Sequence, residues 1–197
     1  RRAMNILFLG DVVGRTGREA ALAAIPVLKE KLAVDFLVVN GENAAGGFGI
    51  TDKIAQEFYA AGTDVITTGN HVWGQRQIMH TIDQDLRLLR PINFPPGTPG
   101  RGAVAVTPKR GGKPVLVVNV MCRVFMEPLD DPFRSVDIAL QNYVLGKTAS
   151  AVIIDMHGEA TSEKMAFGHY LDGRASLVVG THTHVPTADA MILPGGT

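Results

Sequence analysis

Short runs of branched apolar residues, each ending in polar residues, constrain this chain most. They are Asn5-Ile6-Leu7-Phe8-Leu9, Phe36-Leu37-Val38-Val39, Val65-Ile66 with its threonine neighbours, Ala103-Val104-Ala105-Val106, Val115-Leu116-Val117-Val118, Ala151-Val152-Ile153-Ile154 and Leu177-Val178-Val179. Continuous apolar runs of strand length predict strands buried on both faces. Helical patterns lie between them, over 17–32, 51–61, 75–85, 135–145 and 162–171. Thr51-Asp52 is a good helix start, and Pro26 is expected to kink or break the first helix. This alternation predicts an α/β layered fold with a largely parallel core sheet. Over 103–120 two strand runs flank Pro108-Lys109-Arg110-Gly111-Gly112-Lys113-Pro114, which reads as a hairpin loop, so the sheet is mixed. Two turn-rich stretches, 91–102 and 121–132, carry much of the proline. With 197 residues and no repeat or linker-like tract, one domain is expected over 1–197.

Composition limits the partners. Nineteen basic residues balance nineteen acidic ones, so no global field recruits RNA or acidic membranes. Hydrophobic residues make up 46% of the chain, which excludes disorder, and no stretch approaches the about 20 apolar residues of a membrane span. A single cysteine, Cys122, makes no internal disulfide and suits a reducing compartment, the cytoplasm. Arg1-Arg2-Ala3-Met4 mimics a signal-peptide head, but the apolar run over 6–9 is too short to follow it. Met4 reads as a natural start.

The chemistry collects where strands end, the place where open α/β folds bind ligands. The first run ends in Gly10-Asp11, the second in Asn40-Gly41-Glu42-Asn43 and the third in Gly69-Asn70-His71. The later ones end in Asp155-Met156-His157-Gly158-Glu159 and Gly180-Thr181-His182-Thr183-His184. Four of six histidines fall there, while His80 and His169 fall in helical patterns. Asp, Glu, Asn and His form an oxygen and nitrogen donor set suited to Mn, Fe or Zn, with no thiolate on offer. Each residue alone has a plainer role: Asp11 as a helix cap, Glu42-Asn43 and Asn70 as turn residues, His157 as a buried histidine bonded to backbone. Five such accidents together are implausible. Gly10-x-x-x-Gly14-x-x-Gly17 looks like a dinucleotide fingerprint but has the wrong spacing. Arg15 and Arg18 beside it could attend a phosphate or belong to a solvated helix face.

In their order, Gly10-Asp11, Gly41-Glu42-Asn43, Gly69-Asn70-His71, His157 and Gly180-Thr181-His182-Thr183-His184 resemble the calcineurin-like metallophosphoesterases, and specifically the YmdB-like branch of bacterial phosphodiesterases. That resemblance implies a mixed β-sandwich flanked by helices, a four-layer metallophosphoesterase fold with two divalent transition-metal ions at the strand ends. It implies Asp11 and His184 on one metal and Asn70, His157 and His182 on the other. Glu42 would bridge, Asn43 would ligate or orient, and His71 would face the leaving group as general acid to a metal-bridged hydroxide. Two departures from the wider superfamily, Val13 where its first motif has histidine and Glu42 for its bridging aspartate, are shared by the YmdB-like branch. The implied substrates are phosphodiesters, 2′,3′-cyclic nucleotides foremost. A phosphomonoesterase and a regulatory protein contacting nucleotides or RNA machinery are the alternatives. A homo-oligomer is expected, and because such chains usually run on into another strand and helix, this one is expected to be incomplete.

Overall fold

The computed structural model describes residues 3–197, so Arg1 and Arg2 of the basic head lie outside the described residues. Seven strands form two sheets. β1 (Ile6–Leu9), β2 (Phe36–Asn40) and β3 (Val65–Thr67) form a parallel sheet in the order β1-β2-β3. β4 (Ala103–Val106), β5 (Val115–Met121), β6 (Ala151–Gly158) and β7 (Leu177–His182) form the second. In it β4 and β5 pair antiparallel, as the expected hairpin, and β5, β6 and β7 run parallel.

Side chains alternate across each strand, and this sorts the core into three slabs. Leu37, Val39 and Ile66 face α1 (Gly14–Lys31) and α2 (Asp52–Ala61), packing on Ile25, Ile54 and Phe58. Leu116, Val118, Val152 and Ile154 face α4 (Pro132–Leu140) and α5 (Thr161–Tyr170), packing on Val136, Leu140 and Phe167. The intervening residues, Phe36, Val38, Val65, Val115, Val117, Ala151 and Ile153, meet between the sheets. The layers run helix, sheet, sheet, helix. This is the flanked sandwich of the four-layer fold, and it explains why the strand runs are apolar without a break.

Helix ends follow local chemistry. Thr51 caps α2 by accepting from the Ile54 N–H at 3.2 Å, and Asp131 caps α4 by accepting from the Phe133 N–H at 2.9 Å. Two expectations need correction. α1 runs unbroken through Pro26. Proline removes only one N–H from the ladder, and exposed Pro26 sits beside Ile25, which is fully buried against the first sheet. The helix expected over 75–85 is reduced to α3 (Ile78–Thr81), preceded by a 3-10 turn at Val72–Gly74. Asp83 and Asp85 turn their carboxylates onto the Gly100 and Arg87 N–H groups, at 2.6 and 2.9 Å, and draw the chain out of the helix. Among the described residues no helix is long and apolar enough to cross a membrane.

Candidate metal centre

The slab between the sheets changes character at the carboxyl ends of the strands. On the faces that carry Phe36, Val38, Ala151 and Ile153, the next residues inward are Asn40 and Asp155, both fully buried. The Asn40 amide donates to Asp155 Oδ2 at 2.9 Å, and the Thr67 hydroxyl donates to the same oxygen at 2.5 Å. Asn119 clasps Thr68 across the sheets, accepting from its N–H at 2.9 Å and donating to its carbonyl at 3.0 Å. Burial pushes the Asp155 carboxyl up to about 6, against the pull of His157 and of its three hydrogen-bond donors.

Above this polar floor the predicted residues converge. Among the described residues, Asp11, Glu42 and His157 place donor atoms all within 4.8 Å of one another. His157 Nε2 lies 2.9 Å from Asn70 Oδ1 and 2.6 Å from Glu42 Oε2. The second contact is an ion pair, and Glu42 Oε2 is a buried oxygen with no other polar partner. Glu42 Oε1, by contrast, accepts from the His71 backbone N–H at 2.9 Å. Burial opposes charge on Glu42, but His157 and His71 outweigh it and hold the carboxyl below its usual range. His157 shows the converse: burial disfavours its cation, and the carboxylates of Glu42, Asp155 and Asp11 pull its pKa up regardless. Glu42 Oε2, Asn70 Oδ1 and His157 Nε2 thus face one another in a buried, negatively biased space. The donor set fits a divalent metal.

Gly69 keeps this space open. A Cβ there would stand 2.2 Å from His157 Nε2 and 2.3 Å from Glu42 Oε2. His71 follows, one-third exposed, with Nδ1 3.0 Å from both Asn43 Oδ1 and Glu42 Oε1. Two acceptor oxygens beside Nδ1 favour the tautomer with hydrogen on that nitrogen, leaving Nε2 to face outward. The Phe48 ring stands edge-on to His71 at 4.7 Å.

The two later histidines diverge. His182 adopts φ of +90°, a conformation rare for a residue with a side chain, and its backbone N–H donates to Asp11 Oδ2 at 3.1 Å. Its ring sits 5.0 Å from that of His157, with Nε2 3.2 Å from Glu159 Oε2. Burial, and then the charge of His157, lower its pKa and favour the neutral ring. His184, about half exposed, brings Nε2 to 3.7 Å from Asp11 Oδ2. Beside Asp11 and His184 opens a cavity of about 850 Å³, walled by Lys164 and Met165 of α5 and by Val185 and Leu193. Arg15 pairs with Glu19 on the surface, and Arg18 donates to the Ala44 carbonyl at 2.7 Å. Neither attends the strand ends as an anion ligand.

The sequence reading named the strand-end donors but gave Asn40, Asp155 and Thr181 no role. Their signal was their place at the same strand ends. Asp155 and Thr181 face the same inter-sheet space as His157, two residues along β6 and directly opposite on β7.

Over 194 residues the chain is 50% identical to the 2′,3′-cyclic-nucleotide 2′-phosphodiesterase of Bacillus subtilis, an alignment covering 98% of this chain and 72% of that protein. A crystal structure of a protein from Thermus thermophilus superposes with a TM-score of 0.88 at 44% identity, over 98% of this chain and 73% of the other. That of a phosphatase from Mycoplasma pneumoniae gives 0.88 at 31% identity, over 100% and 70%. The sequence model of the YmdB-like proteins matches residues 7–197, which takes in every strand-end donor named above, and the chain belongs to that family.

Proposed function

We propose that this chain is a metal-dependent phosphodiesterase acting on 2′,3′-cyclic nucleotides, with two divalent transition-metal ions, Fe, Mn or Zn, at the strand ends. The observation that carries the reading is the buried Glu42 Oε2 facing His157 Nε2 and Asn70 Oδ1, an arrangement that a cation completes. The name of the Bacillus subtilis relative, a 2′,3′-cyclic-nucleotide 2′-phosphodiesterase, supports the substrate class. Asp11 and His184 would hold one ion, Asn70, His157 and His182 the other, and Glu42 both, with Asn43 orienting His71. When bound, the ions supply Lewis acidity to the phosphoryl oxygens and acidify water between them. The chain's own share is to exclude competing partners from Glu42 and to present a proton. His71, held through Nδ1 by Glu42 and Asn43, donates from Nε2 to the departing ribose oxygen. A free, buried Cys122 suits the cytoplasm.

Glu42→Gln tests the centre. It should lower bound metal from two ions per chain and abolish turnover while leaving the fold largely intact, because Glu42 lies beyond the apolar slab. Metal analysis and circular dichroism on one preparation check this, and full metal content with normal turnover would overturn the assignment. The Mycoplasma pneumoniae relative is called a phosphatase, so phosphomonoesters are the second reading. Faster hydrolysis of p-nitrophenyl phosphate than of its bis-ester would favour it.

A further inference from the structure

Thr181 has a role that the donor set alone does not reveal. It lies in register with His157 on the neighbouring parallel strand, so both side chains point into the same inter-sheet space. Its hydroxyl oxygen stands 2.8 Å from His157 Nδ1, 2.5 Å from Asp155 Oδ1 and 3.5 Å from Asn40 Nδ2. A hydroxyl has one hydrogen to give. Asn40 Nδ2 is itself a donor, and Asp155 Oδ2 already receives Asn40 and Thr67. The Thr181 hydrogen therefore goes to Asp155 Oδ1, and the oxygen's lone pairs face His157. The hydrogen between Thr181 and His157 must then sit on Nδ1.

We propose that Thr181 is a positioning residue that hands the orientation of the Asp155 carboxylate to His157, fixing the ring with hydrogen on Nδ1 and Nε2 as the nitrogen turned to the metal centre. The proposal rests on the metal reading above. Thr181, His157, Asp155, Asn40 and Thr67 are all fully or almost fully buried, which shields the ring's Nδ1 from solvent. A metal-bound histidine commonly places its other N–H on a carboxylate or carbonyl. Here a threonine stands between, and it transmits direction because it donates to one side and accepts from the other. Without the hydroxyl, the ring could turn over or take the other tautomer, and the donor at the centre would be lost.

The test compares Thr181→Val, which keeps shape and removes the hydroxyl, with Thr181→Ser, which keeps the hydroxyl. Zinc and manganese affinities are measured on the metal-stripped proteins by titration calorimetry, and the His157 ring nitrogens by 15N NMR on the zinc-loaded ones. The valine variant should bind at least one ion 10–100-fold more weakly, and the serine variant should stay within a few-fold of the parent. In zinc-loaded parent protein, His157 should show a slowly exchanging hydrogen on Nδ1. That measurement needs no variant, so it stands even if Thr181→Val does not fold. Equal affinity in the valine variant, or a hydrogen on Nε2 in the parent, would overturn the inference while leaving the metal reading intact. If the parent bound no metal, the metal reading itself would fail.

Discussion

Single atoms decide this site. His71 Nδ1 lies 3.0 Å from both Asn43 Oδ1 and Glu42 Oε1, so Nε2 is the nitrogen left to meet a substrate. A ribose oxygen is a poor leaving group and p-nitrophenolate a good one, so His71→Ala should slow 2′,3′-cyclic nucleotides about 10²–10⁴-fold and a p-nitrophenyl diester far less. Equal losses on both substrates, with metal content unchanged, would instead make His71 an electrostatic stabiliser of the phosphoryl oxygens. Gly69→Ala is the steric counterpart. Its Cβ would overlap His157 Nε2 and Glu42 Oε2, so metal content and turnover should fall together, turnover by on the order of 10²-fold or more. At this scale the donors were legible in the sequence, because each follows an apolar run. Their supports were not. Two partners of Asn40 are 115 and 141 residues away, at Asp155 and Thr181, and nothing local in a sequence points across two sheets.

Elements were legible where burial is periodic and obscure where side chains compete with the backbone. Unbroken branched runs specified the strands, and residues 103–120 formed the hairpin that their turn chemistry called for. The stretch 91–102 reads only as rich in turns, yet one residue organises it. Buried Arg90 donates to the carbonyls of Pro91, Thr98, Pro99 and Gly100 at 2.9–3.2 Å. No sequence rule singles out that arginine. α1 tests the opposite error, where a local rule was given too much weight. Pro26 lies within an intact helix, exposed, so Pro26→Ala should restore a backbone hydrogen bond. Interior proline costs about 3 kcal/mol relative to alanine, and its restriction of the unfolded chain returns about 1. A net gain of about 2 kcal/mol in urea denaturation is expected. No gain would mean that the helix has been shaped around the ring.

For the molecule as a whole, the slab between the sheets is where stability and site part company. Phe36 is fully buried there, and Phe36→Ala should cost about 3–5 kcal/mol by urea denaturation. Glu42→Gln, at the polar end of the same slab, should cost far less when both proteins are compared free of metal. The division into two sheets was not readable from periodicity, which marks a strand as buried without saying what covers it. It entered through resemblance in motif order. That division also distributes the donors. Asp11, Glu42 and Asn70 follow strands of the first sheet, while His157, His182 and His184 belong to or follow strands of the second. A cation shared by these residues is therefore a rivet through two plates, and occupancy and cohesion become one quantity. At 100 times its dissociation constant, such an ion adds about 2.7 kcal/mol to folding. Melting temperature should rise with added Mn²⁺ and drop on chelation, and hydrogen exchange in metal-free protein should quicken first at the carboxyl ends of β2 and β6. Such a rivet would hold the plates at their rim, where the apolar filling stops and nothing greasy is left to grip.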